Sequence, residues 1–156
     1  MTIRHFYLFA GYALWGCVLL CILSQVLSDR MQQRRLLRQQ DVIRRLFAAP
    51  PQTLPRKQLL KLARQDVLLH EICTCFAASG CQDRAAMEAI LRSRLDRAWE
   101  ETPLVRCLLL QNIVCCGARS PEIRFFVEQC LHASALERFW AAEAKKSFRS
   151  AKEKVM

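Results

Sequence analysis

The chain has 156 residues, 53% of them hydrophobic, with four glycines, five prolines and a net charge of +10. Strong helix formers (Ala, Leu, Arg, Gln) dominate and few stretches alternate as half-buried strands do, so the fold class is all-α. Gly11 and Gly16 fall in an apolar run and Gly80 and Gly117 sit where helices end, which leaves no glycine-rich loop for a P-loop or dinucleotide fold.

No charged residue interrupts Phe6 to Leu27. As a helix rising about 1.5 Å per residue, this run reaches about 33 Å, enough to cross a hydrocarbon core about 30 Å thick. Tyr7 suits the membrane–water interface. Two processed forms compete with an uncleaved anchor. A signal peptide would be cut near Val26-Leu27-Ser28, yet its apolar region normally spans only about 7–15 residues. Leu14-Trp15-Gly16-Cys17 has the outline of a bacterial lipoprotein box, but the residues after Cys17 stay apolar. A single transmembrane helix at about 6–27, within an anchor of residues 1–28, is the favoured reading.

Charge asymmetry sets the expected orientation. Arg4 stands before the span, whereas Arg30, Arg34, Arg35, Arg38, Arg44 and Arg45 follow it. Positive flanks stay in the cytoplasm, so the N-terminus is expected outside and the C-terminal domain inside. The cysteines beyond the span are embedded in helical patterns, as in a reducing compartment. Those six arginines are also candidate contacts for an anionic surface. Because they abut the apolar run, a lipid bilayer is favoured over nucleic acid as the partner. Within the span, Ala10, Ala13, Cys17, Cys21 and Ser24 recur at spacings of three and four. They form a candidate packing face for a second helix in the membrane, or a chance clustering of small residues.

Residues 29–49 read as a basic juxtamembrane helix. It continues the membrane helix as a stalk, lies along the headgroups, or docks its Leu36, Leu37, Ile43, Leu46 and Phe47 on the domain that follows. Pro50-Pro51 then breaks the helix, and residues 50–55 form a Pro-rich linker in which Thr53 can cap the next element. A helical domain of about five helices is expected over 56–144. The first runs from about 55 to 78 and ends at Gly80, continuous or broken near Asp66. The second spans about 83–100, with Met87, Ile90, Leu91, Leu95 and Trp99 on one side. Thr102-Pro103 opens a third that Gly117 closes, Ser120-Pro121 opens a fourth, and Ser134-Ala135-Leu136-Glu137 fits the capping box of a fifth. Residues 145–156 read as a basic, fraying tail.

The third and fourth helices start alike: Thr102-Pro103-Leu104-Val105-Arg106 parallels Ser120-Pro121-Glu122-Ile123-Arg124. Over about residues 100–142 the chain resembles HEAT-like helical repeats, whose helices open with a related Pro-x-Val-Arg pattern. That resemblance implies stacked helix pairs, with Arg106 and Arg124 bracing neighbouring repeats. An irregular helical bundle is the alternative.

Chemistry is sparse. His70-Glu71-Ile72-Cys73-Thr74 begins like a zincin helix, but Thr74 occupies the second histidine's place. A zinc site from His70, Cys73 and Cys75 or Cys81 has no standard spacing, and buried apolar cysteines are the simpler reading. Cys115-Cys116 precedes a helix C-terminus, the electronegative end, which disfavours a thiolate. Cys130 and His132 point apart on a helix. No catalytic residue, metal or cofactor is therefore expected. Trp99, Phe139 and Trp140 are candidate partner contacts, although a small domain usually keeps such rings in its core; of Phe125 and Phe126, one should point inward. The expected function is a membrane-tethered helical scaffold or adaptor, or an accessory subunit of a membrane complex, acting on a protein partner. Anionic-lipid or nucleic-acid binding is the alternative, and a metal- or thiol-dependent enzyme the third reading.

Overall fold

A computed structural model describes residues 3–48 and 53–153, and every regular element in them is helical. Seven helices are found among these residues: α1 (Ile3–Ala48), α2 (Arg56–Leu62), α3 (Asp66–Ser79), α4 (Arg84–Ala98), α5 (Pro103–Cys116), α6 (Pro121–Cys130) and α7 (Ala135–Glu153). The linker residues Pro50, Pro51 and Gln52 and the last three tail residues lie outside the described part. The chain divides into two compact units, Met1–Arg38 and Gln39–Met156.

The first unit is helical throughout its described residues, as a run free of proline and dominated by Leu, Cys, Arg and Gln should be. α1 passes without a break through residues 29–48, so the basic segment continues the apolar helix. Its last turns belong to the second unit. There Ile43 is fully buried and Phe47 nearly so. The Phe47 ring meets Phe76 of α3 edge-on, centroids 6.4 Å apart. Arg44 Nε donates to Glu71 Oε1 at 2.9 Å. Of the three expectations for 29–49, docking thus describes the end of the segment, while Leu37 remains exposed.

Six helices rather than about five follow the linker, because the long helix expected at 55–78 is broken between Leu62 and Asp66. Gln65 is extended there (φ −102°, ψ 131°), and Asp66 opens α3 instead of capping it. Gly80 and Gly117 end α3 and α5 in the left-handed conformation, φ 65° and 62°, the region in which a Cβ is penalised. α7 runs on to Glu153, so residues 145–153 of the expected tail are helical.

Packing follows an alternating scheme. α2 packs on α4 and α4 on α6, while α3 packs on α5 and α5 on α7. Contacts α2–α3, α4–α5 and α6–α7 tie these two rows together. α5 is the centre: Cys107, Leu109, Leu110, Asn112, Ile113 and Cys116 are buried around most of its circumference. A helix apolar on nearly all sides needs neighbours on nearly all sides. α6, although it starts like α5, stands in the other row and buries only Ile123, Phe126, Val127 and Cys130.

One side chain ties the segment before α2 to the start of α4, its neighbour in the same row. Asp83 caps α4, its Oδ1 accepting from Ala86 N at 3.1 Å, and its Oδ2 accepts from Leu54 N at 3.0 Å, just before α2. Replacing Asp83 with Ala should therefore cost about 1–2 kcal/mol, the upper part of the range for a lost helix cap. Denaturant unfolding of the detergent-solubilised chain, followed by tryptophan fluorescence, measures this; an unchanged midpoint would show that neither bond matters.

Candidate functional site

The apolar half of α1 is bare. Tyr12, Leu14, Trp15, Val18, Leu19, Leu20, Ile22, Leu23, Val26 and Leu27 are all exposed. Over the described residues α1 is the one helix long and apolar enough to cross a membrane, with a mean hydropathy of 1.7 and none of the apolar window buried. Of the small-residue face, Ala13, Cys17, Cys21 and Ser24 are exposed. The Ser24 hydroxyl donates to Cys21 O at 3.1 Å within its own helix, which removes most of the penalty for placing it in lipid. The side chains of Tyr7 and Ala10 fall outside the described ones.

All six arginines behind the span are exposed, but they are not equivalent. Arg44 pairs with Glu71, and Arg45 with Asp41 at 2.6 Å. Among the described residues Arg30, Arg34, Arg35 and Arg38 have no ion-pair partner. Their charge is uncompensated, which is what attraction to a polyanion or an anionic surface requires.

The aromatic candidates do not lie in the core. Trp99 is 46% exposed and Phe139 57%, against the preference for buried rings in a small domain. Trp140 is half-buried and meets Phe139 edge-on at 5.3 Å. Leu136, Phe139 and Trp140 follow one another at helical spacing, while Glu137, Ala141 and Ala144 of α7 face inward with at most 1% exposure. Phe126 is buried and Phe125 is 65% exposed, so that pair divides as expected.

Several thiols of the second unit lie in or against the core. Cys115 and Cys116, at the end of α5, both direct their sulfurs at Cys73 O of α3, at 3.7 and 3.8 Å. Burial raises the Cys115 and Cys107 thiols, and it pushes Cys130 up to about 12 with help from the Glu137 charge. Cys73 is raised by its contact with Cys116 and then by burial. A thiol held protonated is a poor nucleophile. His70 Nδ1 lies 2.8 Å from Oδ1 of the buried Asn112, a bond between α3 and α5. Among the described residues no three His, Cys, Asp or Glu side chains come together as a metal would need.

What residue spacing does not reveal is a polar cluster around Glu137. This carboxylate is 1% exposed. It accepts Ser134 N at 3.0 Å and the Ser134 hydroxyl, the acidic half of the expected capping box. It also pairs with Arg106 Nε. Arg106 Nη1 reaches Glu101 O at 2.7 Å and Ala98 O at 3.3 Å, and its guanidinium lies 5.3 Å over the Trp99 ring. One arginine thus joins the end of α4, the start of α5 and the start of α7. Arg124, at the corresponding place in α6, instead lies over Phe148 at 5.9 Å. The matching sequence start does not bring matching partners.

Burial alone would raise the Glu137 carboxyl, but hydrogen bonds from Ser134 and Arg106 outweigh it and hold the group below its ordinary value. A depressed carboxyl adds stability that is present above its unfolded pKa, about 4.3, and lost as pH falls through the folded value. Glu137→Gln should lose about 3–5 kcal/mol at neutral pH, since Arg106 is left without a counter-charge. Its unfolding should also be flatter than wild type below pH 5, and equal acid slopes would refute the assignment.

Comparison with known proteins found no family model, curated protein or solved structure that matches the chain.

Proposed function

We propose that the chain is a single-pass membrane protein whose helical domain acts in the cytoplasm as an adaptor, or as an accessory subunit of a membrane complex, by binding another protein. The observation that carries this reading is the bare apolar segment of α1, none of it buried. Burying such a surface in lipid is worth about 25 cal/mol per Å² of apolar area. The four uncompensated arginines behind it support an inward C-terminal domain, because moving them across the bilayer is costly. All nine cysteines are free thiols, which suits a reducing compartment.

The partner face with the most support is the start of α7. The exposed Leu136 and Phe139 and the half-buried Trp140 there have the character of interface anchors. The alternating helix rows support the reading of stacked helix pairs, an architecture that presents extended binding surfaces. Arg30, Arg34, Arg35 and Arg38 favour a concurrent role in holding anionic lipid; nucleic acid is the less favoured polyanion because these charges adjoin the apolar span.

A photocrosslinking amino acid at Phe139 tests the interaction in living cells. A discrete protein adduct is expected there, lost when Leu136 and Trp140 are changed to Ser. Absence of any adduct at Phe139, with an abundant and membrane-located chain, would contradict the adaptor reading.

A further inference from the structure

Between α2 and α4 the second unit has a cleft of about 440 Å³ that none of the surfaces above includes. Leu60 and Ala63 form one wall, Ser93 and Arg94 line the other, and Arg64 and Arg97 complete the lining. The three arginines play different parts. Arg94 is largely buried, its side chain 13% exposed, and its charge is consumed: it pairs with Asp66 and with Glu101 at 3.4 Å. It also donates to Arg64 O at 3.2 Å, which fixes the backbone from which Arg64 projects.

Arg64 and Arg97 are exposed, and neither has an ion-pair partner among the described residues. Two guanidinium groups without counter-charge therefore share one concavity. Ser93 does not satisfy them, and its hydroxyl hydrogen is given to Ile90 O at 2.7 Å. Among the described residues no acidic side chain pairs with either, which leaves both guanidinium groups open to an anion from solution.

We propose that this cleft binds a phosphate monoester. A carboxylate presents two acceptor oxygens and one negative charge, whereas a terminal phosphate presents three acceptor oxygens and nearly two charges, and so matches a guanidinium fork from each of two arginines better. The volume falls within the range of about 300–1,000 Å³ typical of small-molecule sites, well above what a bare phosphate fills. The ligand is accordingly a phosphate on a compact body, with the partly exposed Leu60 as an apolar contact for that body. Two sources present this chemistry, a soluble phosphorylated metabolite and a phosphorylated lipid headgroup. The site shares no residue with the Arg30 to Arg45 set or with the partner surface of α7.

The test is calorimetric titration of the full chain, in micelles of an uncharged detergent, with inositol 1,4,5-trisphosphate. Saturable binding is expected, at least about tenfold weaker for Arg64→Gln/Arg97→Gln and intermediate for Arg64→Lys/Arg97→Lys. Arg56→Gln/Arg84→Gln, exposed and outside the cleft, should bind as wild type does. Far-UV circular dichroism checks that the variants stay folded, which is expected because neither cleft arginine makes an ion pair. Repeating the titration in nanodiscs containing phosphatidylinositol bisphosphate separates the sources. Competition by this lipid but not by phosphatidylserine nanodiscs of matched charge identifies a headgroup, and binding undiminished by either identifies a soluble ester; both support the cleft. No saturable binding by the wild-type chain, or equal binding by the Arg64→Gln/Arg97→Gln variant, would overturn it.

Discussion

An apolar helix without a cover is the constraint on which the rest depends. From Tyr12 to Leu27 the large side chains of α1 are exposed, and such a surface is rarely left in water by a soluble monomer. Its helical backbone satisfies its own hydrogen bonds, and Ser24 returns its hydroxyl to Cys21 O, so little polar surface opposes transfer to lipid. The change in character at Ser28-Asp29-Arg30 is abrupt. Beyond it α1 remains helical but becomes cationic, and then contributes Ile43 and Phe47 to a core. One helix therefore carries three chemistries in succession: apolar and bare, charged and bare, apolar and buried.

The second unit is held by a different kind of contact. Its apolar core centres on α5, but the ends of its helices are fixed by charge. Arg106 and Glu137 bind α5 to α7 and close the loop from Ala98 to Glu101. Arg94 does the same for Asp66 and Glu101, securing the break that separates α2 from α3. Each pair is surrounded by further hydrogen bonds, the condition under which buried charge is tolerated. A small domain with many exposed arginines thus spends two of them, Arg94 and Arg106, on structure. Arg44, Arg45 and Arg92 also pair with acids, whereas Arg64 and Arg97 have no ion-pair partner among the described residues.

Much of this was legible in the sequence where a local rule acts. Pro103 and Pro121 open α5 and α6, Gly80 and Gly117 close α3 and α5, and Ser134 with Glu137 starts α7. The apolar run was legible for the same reason, since length and the lack of charge are local properties. What escaped depends on partners distant in sequence. Asp83 reads as a surface acid, yet it binds Leu54 N across 29 residues. Glu137 reads as a cap, and its pairing with Arg106 across 31 residues is set by packing. Arg106 and Arg124 look equivalent because their helices begin alike, but the helices stand in different rows and offer different neighbours. The exposure of Trp99 and Phe139 was likewise beyond helical periodicity, which assigns a face to a side chain without saying what covers that face.

Extraction of native membranes with alkaline carbonate tests the central claim most directly. Insertion of the 11–27 segment requires the intact chain to stay with the membrane pellet, and replacing Leu19, Leu20 and Leu23 by Arg should release it. Recovery of the unmodified chain in the carbonate supernatant would contradict insertion.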